Sequence, residues 1–108
     1  MPVYDTFGFS SSSLEQVREA LEDCLGIRFV PHESSFIGDY YLHGERYEKG
    51  NLLLRVNLGP EDGEPAYPEF SEFPIILEAS DPDQPERLSN VLQSKLPGCK
   101  LLRHEVVA

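Results

Sequence analysis

Two segments of the chain repeat their apolar residues at the spacing of an amphipathic helix. In the first, apolar residues recur every three or four positions, which predicts a helix over residues 13–25. Ser13 suits its N-cap, and Gly26 suits the left-handed residue that ends such a helix. The second segment predicts a helix over residues 84–95, ended by Pro97 and the glycine after it.

Other segments alternate apolar and polar residues, or are short and apolar, as strands do. The predicted strands cover residues 3–9, 27–30, 36–43, 52–58, 73–79 and 99–107. Pro31 is expected to end the second of them, and Gly44 and Gly50 suit an antiparallel hairpin between the third and the fourth. The order βαββββαβ predicts an α+β fold: a curved, mostly antiparallel sheet with two helices packed on one face. Residues 1–108 are expected to form a single domain.

The periodicity also predicts which side chains form the core. The predicted core residues are Leu14, Val17, Leu21, Leu25, Phe29, Leu52, Leu54, Val56, Ile75, Leu77, Leu88, Val91, Leu92 and Leu101. Tyr40 is expected to point into the core, and Tyr41 either covers the other face of the sheet or contacts a partner. Cys24 and Cys99 do not form a CxxC pair, and we expect buried free thiols, with a disulfide as the alternative.

The first residues carry neither a basic run nor an apolar run, so no signal peptide is predicted. No apolar stretch approaches the roughly 18 residues that cross a bilayer. We therefore expect a cytoplasmic protein that does not enter a membrane.

The net charge of −10 is distributed unevenly along the chain. Residues 56–86 contain nine acidic residues and no basic residue, whereas residues 87–108 carry four basic residues and one acidic residue. A field of this sign repels nucleic acid, which binds to basic surfaces, and attracts cationic proteins. The expected partner is therefore a basic protein and not DNA or RNA.

Two segments combine this negative charge with aromatic residues. The connection over residues 59–72 contains three prolines, five acids and two aromatics, and connections of that length are often functional. The hairpin over residues 38–47 contains three tyrosines, a residue type enriched at protein interfaces. The predicted partner-binding residues are Asp39, Tyr41, Glu45, Tyr47, Glu61, Asp62, Glu64, Tyr67, Glu69, Phe70 and Glu72. For the connection, the alternative is a solvated excursion whose two aromatics fasten it to the sheet.

Motifs for catalysis or for cofactor binding are missing from the sequence. The chain has no GxSxG elbow, no glycine-rich phosphate loop and no HxxxH or HExxH spacing among its three histidines. We expect no enzymatic activity, no metal site and no cofactor, and a protein that is a monomer when free. Carboxylate pairs carry little information in a chain with nineteen acids.

The run Tyr40-Tyr41-Leu42-His43-Gly44-Glu45, followed by Leu52-Leu53-Leu54-Arg55-Val56-Asn57, resembles small immunity proteins of bacterial toxin–immunity systems, including contact-dependent inhibition. The likeness continues through the acidic connection and covers about residues 36–107. It implies an inhibitor that binds a cognate toxin domain, such as a basic nuclease, and masks its active site or substrate path. The alternative is a small-molecule-sensing or enzyme-accessory domain, which would need an apolar pocket with a few polar groups.

Overall fold

A computed structural model of the chain describes residues 2–11, 13–34, 38–45, 48–57 and 65–107. Its elements are β1 (Val3–Phe9), α1 (Leu14–Leu25), β2 (Val30–Ser34), β3 (Gly38–His43), β4 (Asn51–Val56), a short 3₁₀ turn η1 (Pro68–Phe70), β5 (Ile75–Ser80), α2 (Pro85–Lys95) and β6 (Cys99–Val106). The sequence of elements is the predicted βαββββαβ, and the fold is α+β.

The two helices begin and end where local sequence signals place them. The Ser13 hydroxyl accepts the first-turn N–H of Gln16 at 3.3 Å, and Gly26 ends α1 at φ 67°, where a side chain would be strained. Pro85 occupies the first turn of α2, where the N–H that it lacks would have no intrahelical partner. No helix within the described ranges is long and apolar enough to cross a membrane.

The six strands form one antiparallel sheet in the order β2-β3-β4-β5-β1-β6. The first strand of the chain is therefore inserted between the fifth and the sixth, and neither helix connects neighbouring strands. α1 carries the chain from β1 to β2 past three intervening strands, and α2 carries it from β5 to β6 past β1. Because β1 and β5 run in opposite directions, the helices that leave them are antiparallel.

Both helices cover the same face of the sheet, as the sequence predicts. Leu54, Leu77 and Phe7 stand opposite one another on β4, β5 and β1, and all three are fully buried. Leu21 of α1 and Leu92 of α2 join them in one cluster. Thirteen of the fourteen predicted core residues belong to this cluster or pack against it, while Val91 is half-buried outside it. The prediction omitted three buried residues of the same cluster: Phe7, Phe9 and Ala79.

The opposite face of the sheet is also apolar, which the sequence analysis did not predict. Tyr40, Leu42 and Leu53 form a second buried cluster there, and Ile76 is fully buried between Arg55 and Gly8. The sheet therefore separates two apolar layers, only one of which is covered by helices.

Tyr40 is buried and Tyr41 lies on the opposite face of the sheet, as expected, but the face that carries Tyr41 is the one covered by the helices. Tyr41 stands opposite Leu54 and packs against the helix-covered cluster, whereas Tyr40 belongs to the second layer. The register of β3 with β4 places Tyr40 and Leu42 on the side of the sheet away from the helices.

The second predicted strand is displaced along the chain. Instead of ending at Pro31, β2 runs from Val30 to Ser34 and includes that proline. Since β2 lies at the edge of the sheet, a residue without an N–H group is tolerated there. The predicted strand 73–79 begins instead at Ile75, because the carbonyls of Phe73 and Pro74 are bonded to Asn57.

Both cysteines are free thiols, as expected, and both are half-buried. Burial raises the pKa of the Cys99 thiol to about 12, and the nearby Cys24 contributes to that shift. Cys99 is thus held in its protonated, unreactive form at neutral pH.

Replacing Leu54 by Ala tests the helix-covered layer. Because Leu54 is fully buried, the cavity should lower the free energy of unfolding by about 2–5 kcal/mol. Val106→Ala, at a residue that is 52% exposed, should change it by less than about 0.5 kcal/mol. Urea denaturation measures both, and equal midpoints for the two variants would contradict the assignment of Leu54 to the core.

Candidate functional site

The outer face of α1 carries three glutamates that share one arginine. Arg18 contacts Glu15 and Glu22 at 2.8 Å and Glu19 at 3.7 Å. The second carboxylate oxygen of Glu22 accepts the backbone N–H of Phe29 at 2.9 Å, which fixes the turn between α1 and β2. One positive charge therefore faces three negative charges, and this part of the surface keeps a net negative charge.

Tyr41 is held against this group of charges. Its hydroxyl donates a hydrogen bond to Glu15, and the Arg18 guanidinium lies over its ring at 5.3 Å from the centroid. The Tyr41 hydrogen bond, followed by Arg18, lowers the pKa of Glu15, and the same bond raises the pKa of Tyr41. These contacts fix both side chains in one arrangement in the free protein.

The negative surface extends onto the neighbouring strands. Asp39 lies two residues before Tyr41 on the same face of β3, and its cross-strand partner on β2 is Glu33, a second exposed carboxylate. Like charges in directly opposed positions repel each other. We call Glu15, Glu19, Glu22, Glu33 and Asp39, with Arg18 and Tyr41, the α1–β3 surface.

Basic residues gather at the other side of the sheet. Arg87 and Lys95 lie on α2, and Lys100 and Arg103 lie on β6, the edge strand opposite β2. The molecule is therefore electrically polar, with a negative β2–β3 side and a more positive α2–β6 side.

The described part of the acidic connection lies on the same side of the sheet as the second apolar layer, next to β1, β5 and β6. Asn57, which is 3% exposed, organises this segment through its side chain. Its amide donates to the carbonyls of Phe70 and Phe73 at 3.1 and 3.0 Å and to that of Tyr67 at 3.5 Å, while its oxygen accepts the Tyr67 N–H at 2.8 Å. The buried side chain of Asn57 thus fastens the segment from Tyr67 to Phe73 to the end of β4.

The aromatic residues of this segment pack onto the sheet. The ring of Phe73 lies over Gly8, where an added Cβ would come within 2.6 Å of it. The hydroxyl of Tyr67 reaches Glu78, and burial, followed by that carboxylate, raises the pKa of Tyr67. Arg103 lies over the Phe70 ring at 5.5 Å from its centroid and contacts Glu69 at 2.5 Å.

The predicted partner-binding residues are therefore divided between two faces. Asp39 and Tyr41 lie on the helix-covered face, while Tyr67, Phe70 and the Glu69–Arg103 pair lie on the other. The two remaining described residues, Glu45 and Glu72, are both exposed. The other four predicted residues lie outside the described residues; they are Tyr47, Glu61, Asp62 and Glu64.

Some acids of residues 56–86, the segment without basic residues, form ion pairs with basic residues elsewhere in the chain. Besides the pair of Glu69 with Arg103, Lys49 lies 3.8 Å from Asp81 and 3.9 Å from Asp83. The α1–β3 surface, where one arginine serves three glutamates, is therefore the better candidate for meeting a basic partner.

Four glutamates of this surface were not among the predicted site residues: Glu15, Glu19, Glu22 and Glu33. Glu15, Glu19 and Glu22 follow one another at three- and four-residue spacing, which places them along one side of α1 and could have identified them from the sequence. The pairing of Glu33 with Asp39 depends on the register of β2, which the sequence analysis placed too early.

A buried carboxylate lies beneath α2. Asp5 is 2% exposed, and its carboxylate lies 2.5 Å from Nδ1 of His104 on the neighbouring strand β6. The two residues border a cavity of about 310 Å³ to which Ser89 also contributes. The Ser89 hydroxyl accepts a hydrogen bond from Gln93, and no hydrogen bond joins it to His104 in the described part of the chain. The pair therefore links β1 to β6 without forming a catalytic triad.

A second cavity, of about 420 Å³, separates the end of α1 from the beginning of α2. Leu25, Leu52, Leu88 and Val91 form apolar walls, and Arg87 lies at its border. We call this cavity the interhelical cleft.

Within the described ranges, no group of three or more His, Cys, Asp or Glu side chains is placed to hold a metal ion. No protein-family model matches the chain, and no curated protein matches its sequence.

Asn57→Ala tests the loop closure. The substitution leaves buried backbone groups without their partner, so the free energy of unfolding should fall by about 1–3 kcal/mol. Hydrogen exchange should accelerate at the Tyr67 amide. Asn90→Ala, at an exposed site on α2, is the control and should change neither quantity. Unchanged exchange at Tyr67 would contradict the proposed function of this amide.

Tyr41→Phe tests the preorganised contact on α1. Removing the hydroxyl should raise the pKa of Glu15 toward its ordinary value of 4.5, as measured by NMR titration of the side-chain carboxyl. Because the folded-state pKa is lowered, the contact stabilises the fold above the unfolded-state pKa and is lost as the pH falls through the folded-state value. Tyr40→Phe, on the opposite face, should leave the titration of Glu15 unchanged.

Proposed function

We propose that this chain is a protein-binding inhibitor whose α1–β3 surface docks onto a basic partner. The observation that carries the proposal is the sharing of Arg18 by three glutamates around an immobilised tyrosine. Crowded carboxylates repel each other in the free protein, and a positive partner relieves that repulsion. The prepared position of Tyr41 also limits the conformational entropy lost on binding.

The partner class that fits best is a toxin domain, with this chain acting as its cytoplasmic immunity protein. The likeness of residues 36–107 to immunity proteins supports this assignment, as does the net charge of −10. A nuclease toxin presents a basic surface to its nucleic acid substrate. Carboxylates arranged on a rigid surface can occupy the positions of the phosphates and mask the active site or the substrate path.

The acidic connection adds to this surface in the proposal. Glu61, Asp62 and Glu64 lie in a stretch of sequence without basic residues, and Glu72 is exposed. Tyr67 and Phe70, by contrast, are engaged with the sheet and with Arg103, which favours a supporting function for these two rings.

A second candidate function, the sensing of a small molecule, is favoured by one observation. The interhelical cleft has apolar walls and polar groups at its border, and its volume lies near the lower end of the roughly 300–1,000 Å³ common for ligand sites. Because the cleft lies between α1 and α2, a bound ligand would directly affect how the two helices pack.

Charge reversal tests the proposed docking surface. The probe is the product of the reading frame next to this gene, purified as its C-terminal domain, and association is followed by stopped-flow fluorescence. Glu19→Lys with Glu33→Lys should slow association by about tenfold or more at low salt, because steering depends on the local field. Glu86→Lys with Glu105→Lys changes the net charge equally on the α2–β6 side and should have a much smaller effect.

A third variant, Glu61→Lys with Glu64→Lys, measures the contribution of the acidic connection. Unfolding midpoints should stay near that of the parent for the two variants at described residues, since exposed substitutions change stability by less than about 0.5 kcal/mol. Equal slowing by the α1–β3 and α2–β6 variants would contradict the assigned surface. The absence of any binding to a toxic neighbouring product would contradict the immunity function.

A further inference from the structure

β2 and β6 form the two edges of the sheet, and the edges differ in what they offer to another chain. β2 has five residues and includes Pro31, which has no N–H group, and the exposed carboxylate of Glu33 follows two residues later. β6 has eight residues and no proline, and no described strand pairs with its outer side. An edge of that length presents a row of backbone donors and acceptors to which a further strand can bind.

Two hydrogen bonds at the ends of β1 establish which backbone groups of β6 point away from the sheet. The Ser10 N–H donates to the carbonyl of Gly98 at 3.2 Å, and the Val107 N–H donates to the carbonyl of Pro2 at 2.9 Å. Gly98 and Val107 therefore face β1, and successive residues of an antiparallel strand alternate between its two sides. Counted from both ends of β6, the residues whose backbone groups point outward are Cys99, Leu101, His104 and Val106.

One extra residue, Leu102, lies in β6 where its register with β1 shifts. Because of this residue, Lys100 and Glu105 lie on the same face of the sheet, since their partners on β1, Gly8 and Tyr4, are an even number of residues apart. Both side chains are exposed, and Lys100 forms no ion pair with another described residue. The edge therefore carries one positive and one negative charge toward its opposite ends.

A side chain of α2 covers one of the outward donors. The Leu101 N–H donates to the side-chain oxygen of Gln93 at 3.0 Å, and the amide nitrogen of Gln93 donates to the hydroxyl of Ser89, one turn earlier, at 3.0 Å. Gln93 is exposed, so these hydrogen bonds and not burial hold its side chain in place. Gln93 thus occupies the position at which the carbonyl of an added strand would accept the Leu101 proton.

With Gln93 in this position, the outward N–H groups that have no partner among the described residues are those of His104 and Val106. Two copies that used both groups would pair His104 with Val106 of the second copy, which places Glu105 opposite Glu105. Directly opposed carboxylates repel each other, and Arg103, which lies 3.5 Å from Glu105, is shared with Glu69. This short pairing is therefore unfavourable.

Pairing along the whole of β6 requires the Leu101 N–H. In that register Leu101 lies opposite His104 of a second copy, and Lys100 lies opposite Glu105. The two members of each pair share a face of the sheet and direct their backbone groups to the same side, so both strands are in step. The Lys100–Glu105 pair occurs twice, and opposite charges in such positions attract each other. The shifted part of β6 lies at the two-fold axis, where its backbone groups face β1.

From these contacts we infer that the edge of β6 is a pairing surface for a second copy of this chain, and that Gln93 blocks it in the free protein by accepting the Leu101 N–H. The second copy fits because its charges match those of β6 in the full-length register. Release of Gln93 joins two six-stranded sheets into one, with the helices of both copies on one face. The inference is independent of the α1–β3 surface, which lies toward the opposite edge of the sheet.

Gln93→Ala tests the blocking contact by sedimentation velocity over a concentration series. The variant should dimerise at least about tenfold more tightly than the parent, because each copy gains a free Leu101 N–H for the other. Gln93→Glu keeps an acceptor at this position and should be as monomeric as the parent. Asn90→Ala, at an exposed site on the same helix, is the control for removal of a polar side chain. Equal association of the parent and Gln93→Ala would overturn the inference.

A charge exchange in the Gln93→Ala background tests the register. Lys100→Glu places like charges opposite each other twice and should weaken dimerisation by about tenfold or more. Lys100→Glu with Glu105→Lys restores opposite charges and should restore dimerisation, although each copy then has the same net charge as before the exchange. Equal dimerisation of the single and the double exchange variants would overturn the pairing of two β6 strands, as would dimers in which amide exchange slows only outside β6.

Discussion

The alternation of buried side chains across the central strands is the constraint on which the structure depends. Leu54, Leu77 and Phe7 can face the helices only in the observed register, since a slip of one residue would turn each strand over. The same register directs Leu53 and Ile76 to the opposite face. Among the described residues no α-helix lies on that face, and the described segment after β4 packs against part of it. The four hydrogen bonds of Asn57 hold this segment in place.

This arrangement also separates the charges of the molecule. β1 lies between β5 and β6, and the basic C-terminal strand is thereby placed at the edge opposite β2. Arg103 consequently meets Glu69 and Phe70, and it neutralises part of the acidic connection. The negative charge left near α1 and β3 is the basis for proposing a basic partner there. The interhelical cleft lies apart from that charge, at the end of the sheet where α2 begins.

The helices and the fold class could be predicted because their signals are local. Ser13, Gly26 and the apolar spacing of α1 act within a few residues of one another. The features that could not be predicted depend on contacts between residues that are distant in the sequence. The inclusion of Pro31 in β2 reflects the edge position of that strand, and Glu69 meets Arg103 across 34 positions of the chain. Tyr41 likewise lies on the helix-covered face because it pairs with Leu54 on β4 and bonds to Glu15 on α1.

The most direct measurement of the central claim is hydrogen–deuterium exchange of the free protein and of its complex with the basic toxin domain that we propose as its partner. We expect slower exchange in the complex over the first turns of α1 and over β2 and β3, with α2 and β6 unaffected. Protection confined to α2 and β6 would contradict it, because that side carries the basic residues.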